Sequence, residues 1–362
     1  MICMVEIAGK GGICHYSYNL CNALATKKQV ILITAKTYEL ENLKRNFKLM
    51  KVFNRFRTNP FDIFKMVIFC LKEKPKIIHF QLSQHPEFVL LLVIFLKMFK
   101  MKIILTAHNV VSHEDNLFLR YIFKILYKIS DKIIVHANCN KKELQKFARI
   151  PLSKITVILH GNYFFFKEVN SALENYPNVY QCKNILFFGY IRQYKGLIYL
   201  IRALKEIKKV IPNVKLIIAG KPVEDFYIYK REIDKLNIKD NVLLDLGYIS
   251  FKKIYKYFKI ANVVVLPYTK IYQSGILQLA YAFKKPVVVT NVGGLTEVVE
   301  HGKNGFVVPP KDVNSLANAI IQILKDENLA KKMGEYGYYL AKTKYSWETI
   351  ALKTLNTYKS IY

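Results

Sequence analysis

The chain has 362 residues, of which 52% are hydrophobic and 14% are aromatic. This length allows two domains that each bury a core, and the composition excludes an intrinsically disordered chain. The formal net charge of +30 favours anionic partners such as nucleotides or an acidic membrane surface, although a genome-wide bias toward lysine would produce the same excess.

The beginning of the chain and its cysteines indicate a cytoplasmic protein. Met1 to Ala8 is a short apolar run without a basic start, which predicts a first strand and not a signal peptide. The longest apolar run, Phe88 to Leu96, is too short to span a bilayer. Six cysteines lie between residues 3 and 182 without CxxC or zinc-site spacing, so they are expected to be reduced core residues.

Strand and helix patterns alternate along the first half of the chain. Short β-branched segments, each followed by a polar or helical stretch, occur at residues 3–8, 30–34, 76–81, 102–109, 132–137 and 155–161. Such alternation builds a parallel sheet with helices on both faces. We therefore predict a Rossmann-like first domain.

The pattern breaks after residue 161 and then begins again. Residues 162 to 182, which include Pro177, show no clear period. Further strand patterns follow at residues 184–191, 215–222, 241–249, 261–268 and 286–294. The predicted fold class is α/β, with two Rossmann-like, doubly wound parallel-sheet domains facing a central cleft, where the carboxyl ends of the strands would bind ligands. The predicted boundaries are a first domain at 1–170, a linker at 171–182, a second domain at 183–345 and a final helix at 346–362.

The second half contains a predicted phosphate site at the start of a helix. Ser274 and Gly275 precede an apolar helical run, so the N–H groups of Gly275, Ile276 and Leu277 can face an anion at the positive end of the helix dipole. Ser274 is also an ordinary N-cap residue, and both interpretations can hold together.

Two other stretches could also contact phosphate. Arg192 and Lys195 follow a strand and can converge on a diphosphate, although solvated basic residues are common in so basic a chain. Gly11 and Gly12 follow the first strand and allow either close approach to a phosphate or a plain turn. Because the GxGxxG fingerprint is incomplete there, NAD binding is disfavoured.

Several motifs together resemble one family of enzymes. They are FFGYIRQYKGLIYLIRAL (187–204), LIIAGKP (216–222), NVLLDLGYIS (241–250), ANVVVLPY (261–268), QSGILQLAYAFKKPVVVTNVGGLTEVVEHGKNGFVVPP (273–310) and YSWETIA (345–351). Their order and spacing resemble those of the large nucleotide-sugar-dependent family 4 of retaining glycosyltransferases, also described as glycosyl transferases group 1. The resemblance implies a GT-B fold with an acceptor-binding first half, a donor-binding second half and a final helix that crosses back to the first domain.

The resemblance also implies an activity and the residues that serve it. The expected reaction is transfer of a hexose from a nucleotide diphosphate sugar to a glycan or lipid-linked acceptor, in cell-surface polysaccharide or glycolipid synthesis. His108 would contact the donor sugar and act in catalysis together with Arg192 and Lys195. Donor contacts are expected from Gly11, Gly12, Gly189, Gly220, Tyr248, Ser274, Gly275, Ile276 and Leu277, and acceptor contacts from His79, Gln81, Asn109 and Glu114. For the polar residues His79, Gln81, Gln84 and His85, which we predict to form a loop after a strand, a purely structural role is favoured.

The chain departs from the family pattern at three positions. Tyr190 stands where the family usually has an arginine, and Ile271 and Leu279 stand where many members have two glutamates. These differences support an alternative, a catalytically degenerate binding subunit. Nucleic-acid binding is disfavoured, because no recognised motif is present and the basic residues are spread along the chain. Since no aspartate pair suggests a metal site, we predict a metal-independent protein without a cofactor.

One predicted helix could contact a membrane. Residues 115 to 128, DNLFLRYIFKILYK, combine aromatic and basic residues on one side. Such a helix can lie on an anionic bilayer, at the inner face of the plasma membrane, or it can be a core helix with lysines that extend along its surface. The sequence favours the core helix.

Overall fold

The computed structural model describes residues 1–54, 59–82, 85–111, 116–168 and 182–362. Gln84, Glu114 and residues 171–181 of the predicted linker lie outside the described residues. The chain divides into two compact units, one formed by Met1–Gly161 with Tyr345–Tyr362 and the other by Asn162–Lys344.

The first unit is built on a seven-stranded parallel sheet with the order β3-β2-β1-β4-β5-β6-β7. The strands are β1 (Ile2–Val5), β2 (Val30–Ala35), β3 (Lys48–Phe53), β4 (Ile77–Leu82), β5 (Ile103–Ala107), β6 (Lys132–Val135) and β7 (Ile155–Val157). The sequence patterns predicted all of them except β3. That strand lies at the edge of the sheet, where its partly exposed sequence KLMKVF lacks the continuous apolar run of a central strand.

Helices cover both faces of this sheet. They are α1 (Gly12–Ala25), α2 (Pro60–Glu73), α3 (Pro86–Met98), α4 (Leu117–Ile129) and α5 (Asn138–Ala148). Right-handed crossovers put α2 to α5 on one face, since they all connect strands in the same direction, and α1 on the opposite face. Accordingly, α2 packs on α3, α3 on α4, and α4 on α5.

The second unit contains a six-stranded parallel sheet with the order β10-β9-β8-β11-β12-β13. Its strands are β8 (Lys183–Phe188), β9 (Val214–Gly220), β10 (Val242–Leu246), β11 (Val263–Leu266), β12 (Val287–Thr290) and β13 (Gly305–Val308). Its helices are α6 (Phe165–Glu168), α7 (Leu197–Val210), α8 (Tyr227–Lys235), α9 (Phe251–Ile260), α10 (Gly275–Ala282), α11 (Val313–Lys325) and α12 (Glu327–Lys342). The short edge strand β13 was not predicted as a separate strand.

The final helix, α13 (Trp347–Lys359), belongs to the first unit and packs on α1. The Trp347 ring meets the Tyr16 ring edge to face at 5.2 Å. A β-carbon on Gly161 would lie 2.5 Å from the Trp347 ring, so only glycine permits this close packing. Within the described ranges, no helix has both the length and the apolar content needed to cross a bilayer.

Candidate active site

Ser274 caps the start of α10, in the second unit. Its Oγ accepts a hydrogen bond from the Ile276 N–H at 3.3 Å, and its carbonyl oxygen accepts one from the Leu277 N–H at 3.3 Å. The Tyr268 hydroxyl lies 3.4 Å from the same Oγ. Two of the three amides that the sequence predicted to face an anion therefore bond to Ser274 instead. Both bonds are long, so an incoming anion would displace weak interactions.

Lys195 lies beside this helix start. It ends a short 3-10 turn, Gln193–Lys195, and its Nζ lies 5.7 Å from the centre of the Tyr268 ring. A β-carbon placed on Gly189 would be 3.3 Å from Lys195 Nζ and 3.7 Å from Ile276 Cδ1. The Lys195 ammonium group and the Ile276 side chain, which belongs to the first turn of α10, therefore both lie next to the Gly189 backbone.

The electrostatics of this region favour an anion. Desolvation, and then the nearby charge of Arg192, lower the pKa of Lys195 to about 8. Both side chains are half-buried, and no described carboxylate forms an ion pair with either. A bound diphosphate would supply the missing negative charge and raise the pKa of Lys195.

Glycines let the surrounding loops approach closely. A β-carbon on Gly220 would lie 1.9 Å from the Gly189 carbonyl oxygen, so these two predicted donor-site glycines pack against each other. Gly293 has a φ of +53°, and a β-carbon there would lie 1.8 Å from the Ile271 carbonyl oxygen. The Gly294 N–H donates to the Tyr272 carbonyl oxygen at 3.1 Å. The glycine pair after β12 thus supports the segment that leads into α10.

Four further residues of the second unit bear on the candidate site through their exposure or burial. Tyr248, in the loop after β10, has 42% of its surface exposed, as has Tyr190, which replaces the family's arginine. Leu279 is buried within α10. Beside it, the buried Gln278 has an Oε1 without a hydrogen-bond partner among the described residues. Sequence reasoning missed both Gln278 and Tyr268, although Tyr268 ends one of the quoted motifs.

In the first unit, His108 follows β5 and joins a chain of polar side chains. Its Nδ1 lies 3.2 Å from His136 Nε2, and its Nε2 lies 2.9 Å from Gln81 Oε1. His136 in turn contacts the Ile158 carbonyl oxygen through its Nδ1 at 2.8 Å. His108 is half-buried, and both of its ring nitrogens have partners within its own unit.

The number of available protons limits how this row of hydrogen bonds can be arranged. Three hydrogen bonds between two oxygen ends require three protons, whereas two neutral imidazoles carry only two. Burial lowers the pKa of His136 to about 4 and that of His108 well below its ordinary value, so an additional proton is disfavoured. All three contacts are satisfied if the Gln81 amide turns so that its NH₂ group donates to His108 Nε2, at the cost of the contact that Gln81 Nε2 makes with Met4 Sδ at 3.0 Å.

The histidines form a larger cluster around Tyr16. The Tyr16 ring lies 5.0 Å from His108, 5.1 Å from His136 and 5.1 Å from His160. Burial, and then the charge of His136, lower the pKa of His160 to about 3. His136 and His160 were missed by sequence reasoning. They follow β6 and β7 as His108 follows β5, so the repeated strand-end histidine was the available signal.

His79 and Gln81 lie within β4, which corrects the prediction that they belong to a polar loop. His79 is fully buried, and its Nδ1 and Nε2 lie 2.7 Å from the Tyr358 hydroxyl and the Thr106 Oγ1, respectively. Acceptor binding by His79 would require breaking these bonds. Asn109 is half-buried after His108, and its carbonyl oxygen accepts a hydrogen bond from the Tyr127 hydroxyl at 3.3 Å.

A carboxylate occupies the region where the sequence predicted a phosphate contact near Gly11. Gly11 caps α1, and Gly12 is the first residue of that helix. The Gly11 N–H donates to Glu39 Oε1 at 2.6 Å, and the same oxygen lies 2.6 Å from His15 Nε2. An anion binding at these glycines would have to displace Glu39.

No metal ligands cluster in the described part of the chain, where no three His, Cys, Asp or Glu side chains are placed to hold an ion. Metal independence itself stays a prediction.

Two family models match the chain and together span most of it. Residues 10–161 match "Glycosyltransferase Family 4", and residues 170–339 match "Glycosyl transferases group 1". An uncharacterised glycosyltransferase of Methanocaldococcus jannaschii is 33% identical over 240 residues, which is 64% of this chain and 60% of that protein. The match thus spans less than two thirds of that relative. The alpha-D-kanosaminyltransferase of Streptomyces kanamyceticus is 28% identical over 182 residues, covering 49% of this chain and 45% of that enzyme.

Solved structures share the fold along the whole chain. The Anabaena protein HepE in complex with UDP-glucose matches with a TM-score of 0.79 at 18% identity, covering 99% of both chains. The sucrose-phosphate synthase of Thermosynechococcus elongatus matches with a TM-score of 0.77 at 20% identity, covering 99% of this chain and 98% of that one. At these identities, the likeness concerns the fold alone.

Proposed function

Because the chain belongs to the GT-B glycosyltransferases of group 1, as predicted, we propose that it transfers a hexose from a nucleotide diphosphate sugar to a hydroxyl of a glycan or lipid-linked acceptor. The observation that carries this proposal is the adjacency of Lys195 Nζ, the Gly189 backbone and the first turn of α10. A half-buried cation beside a helix N-terminus suits a diphosphate. The structurally similar HepE was crystallised in complex with UDP and glucose, which supports the same donor class here.

In the proposed reaction, the second unit stabilises the leaving group. As the bond from the anomeric carbon to the diphosphate breaks, negative charge grows on the phosphate oxygens. Lys195, Arg192 and the amides at the start of α10 are the groups that would stabilise this charge. The acceptor oxygen forms the new bond on the face from which the diphosphate leaves, which retains the anomeric configuration, and a phosphate oxygen takes up the acceptor's proton.

His108 and Gln81 are proposed to hold a hydroxyl group of the transferred sugar. A hydroxyl both donates and accepts, so it can bond to His108 Nε2 and to the Gln81 amide once the Gln81 side chain turns away from the 2.9 Å contact that the two groups make without the sugar. His136 would keep the His108 ring in place through its contact with Nδ1. In this role His108 remains neutral, in agreement with its lowered pKa.

The biological setting belongs to the same proposal. We place the reaction in the cytoplasm, in the synthesis of a cell-surface polysaccharide or glycolipid, without a metal or other cofactor. The alternative is a degenerate subunit that binds nucleotide sugars without turnover, and Tyr190 and Leu279 favour it because they replace polar contacts of the family.

The test is a ligand panel followed by a turnover assay. Thermal shifts with UDP, GDP, ADP and their sugars identify the donor, and chromatography then follows its hydrolysis with and without EDTA. We expect one donor to stabilise the protein and to be turned over at a rate that EDTA does not lower. Turnover should be lost in Lys195→Met and kept in Lys235→Met, which changes an exposed residue at the end of α8. Binding without turnover would favour the degenerate subunit, and no binding of any donor would overturn both.

A further inference from the structure

Three neighbouring helices of the first unit, α2, α3 and α4, expose large apolar side chains. Leu117 is 83% exposed, and Phe61 and Met98 are each 71% exposed. We call this surface the apolar face, and its members are Phe61, Phe64, Ile68 and Leu71 of α2, Leu91, Ile94, Phe95 and Met98 of α3, and Leu117, Phe118 and Tyr121 of α4. Solvent-exposed patches of this extent are uncommon on soluble monomers and mark contact surfaces.

The spacing of these residues shows that they form outward stripes. Within each helix they recur every three or four positions, which places them on one side. In α3 the opposite side is the buried one, with Leu92, Val93 and Leu96. Packed helices lie about 8–10 Å apart, so the three stripes run side by side. Although the sequence favoured a core position for α4, that helix buries only one side.

The charged residues on these helices favour an anionic partner. Exposed lysines accompany the apolar residues at positions 65, 72 and 74 on α2 and just after it, at 100 beyond α3, and at 124 and 128 on α4. Among the described acidic residues of the three helices, Glu73 is exposed, Asp62 is buried and Glu87 contacts His85. The face is therefore apolar and cationic.

We propose that the apolar face binds an anionic lipid bilayer, with its aromatic and aliphatic side chains in the interfacial region and its lysines near the lipid phosphates. A second copy of the same face is a poorer partner, because it would bring the lysines of both copies together. The inference concerns only the first unit and uses no residue of the proposed donor site, so it stands or falls independently of the transfer reaction.

Vesicle flotation of the full chain tests this binding. We expect the protein to float with vesicles of phosphatidylcholine containing about 30% phosphatidylglycerol at about 0.1 M salt, and much less at about 0.5 M salt, where charges are screened. Pure phosphatidylcholine vesicles should retain less protein. Absence of flotation with the anionic vesicles at low salt would overturn the proposal.

Matched variants distinguish binding through the apolar face from nonspecific adsorption to the vesicles. The triple variant Phe64→Ser, Met98→Ser, Phe118→Ser should lower the partition coefficient at least about tenfold, since each side chain loses apolar burial. The control Leu152→Ser, Leu352→Ser changes exposed leucines outside the face and should bind like the unmodified protein. Equal binding of vesicles by both variants would contradict the inference. So would light scattering that shows a dimer for the unmodified protein and the control variant but a monomer for the triple variant. Unchanged circular dichroism and melting temperature show that the variants remain folded.

Discussion

At the scale of single residues, the surroundings of Lys195 give the strongest support for a phosphate ligand. Its side chain is half-buried beside Arg192, without a described acidic partner, and its pKa is lowered to about 8 by desolvation and then by that neighbouring charge. Two neighbouring cations at a partly buried position disfavour each other's charged form, and a bound anion offsets that cost. The surroundings of Lys195 thus support a phosphate ligand more strongly than the protein's exposed lysines do.

This environment predicts a pH dependence of donor binding. Below about pH 8 the free protein already holds the proton on Lys195, so affinity should be level. Above that pH the proton must be taken up on binding, and the affinity for a nucleotide sugar should fall by up to about tenfold per pH unit. Calorimetric titration between pH 6.5 and 9.5 measures this. Lys195→Met should bind weakly with a flat profile, and a flat profile in the unmodified protein would contradict the assignment.

At the scale of elements, the start of α10 combines two roles in one residue. Ser274 Oγ caps the helix through the Ile276 N–H, and the same amide is a proposed phosphate donor. A cap can be replaced chemically without removing the helix, so stability and ligand binding can be separated.

Ser274→Asp performs this separation. Aspartate caps helices as well as serine does, so the melting temperature should change little, whereas its carboxylate should repel a phosphate and abolish donor binding. Ser274→Ala should instead cost about 1 kcal/mol of stability while leaving measurable binding. Thermal unfolding and donor titration of both variants check this. Unimpaired donor binding by Ser274→Asp would show that the phosphate lies elsewhere.

The loop before α10 depends on Gly293. Ala at this position would clash with the Ile271 carbonyl oxygen, 1.8 Å from the added carbon. Gly302 also has a positive φ, of +80°, but nothing lies within 4 Å of a β-carbon there, so Gly302→Ala is a control for backbone strain alone. We expect Gly293→Ala to lose at least about 2 kcal/mol more than Gly302→Ala in urea unfolding, because backbone must move. Equal losses would remove the proposed support for α10.

At the scale of the whole molecule, the two units differ in buried histidines. His79, His108, His136 and His160 belong to the first unit, and burial lowers the pKa of each. The second unit contains His301, which is exposed. The units should therefore respond differently to acid.

As the pH falls, the free energy of unfolding of the first unit should decrease at a higher pH than that of the second. The unfolded chain takes up protons on these histidines near their ordinary pKa of about 6.5, whereas in the folded unit the pKa is about 3 for His79 and His160 and about 4 for His136. Each histidine therefore costs up to about 1.4 kcal/mol of stability per pH unit as the pH falls through this window. Trp347 is the sole tryptophan and lies in the first unit, so its fluorescence reports that unit during urea unfolding at pH 7, 5.5 and 4.5.

A variant and a second signal complete this experiment. His160→Asn cannot titrate, so it should reduce the pH dependence of the tryptophan transition. Far-ultraviolet circular dichroism, which reports both units, should retain a later phase that moves less with pH. If both phases shifted together, the histidine cluster would not govern acid stability.

The sequence by itself determined the alternating α/β architecture, the family and the helix start at Ser274. These follow from local signals, because β-branched runs, N-cap residues and the order of motifs are readable along the chain. The strand β3 escaped prediction because its partly exposed sequence lacks a continuous apolar run, whereas β13 is apolar but only four residues long and begins with a glycine. Tertiary structure alone decided which distant residues meet: Lys195 with Gly189 and Ile276, His108 with His136 and Gln81, and Glu39 with Gly11. It also decided which side of α2, α3 and α4 remains uncovered, because an apolar residue has the same local signature whether packing buries it or leaves it exposed.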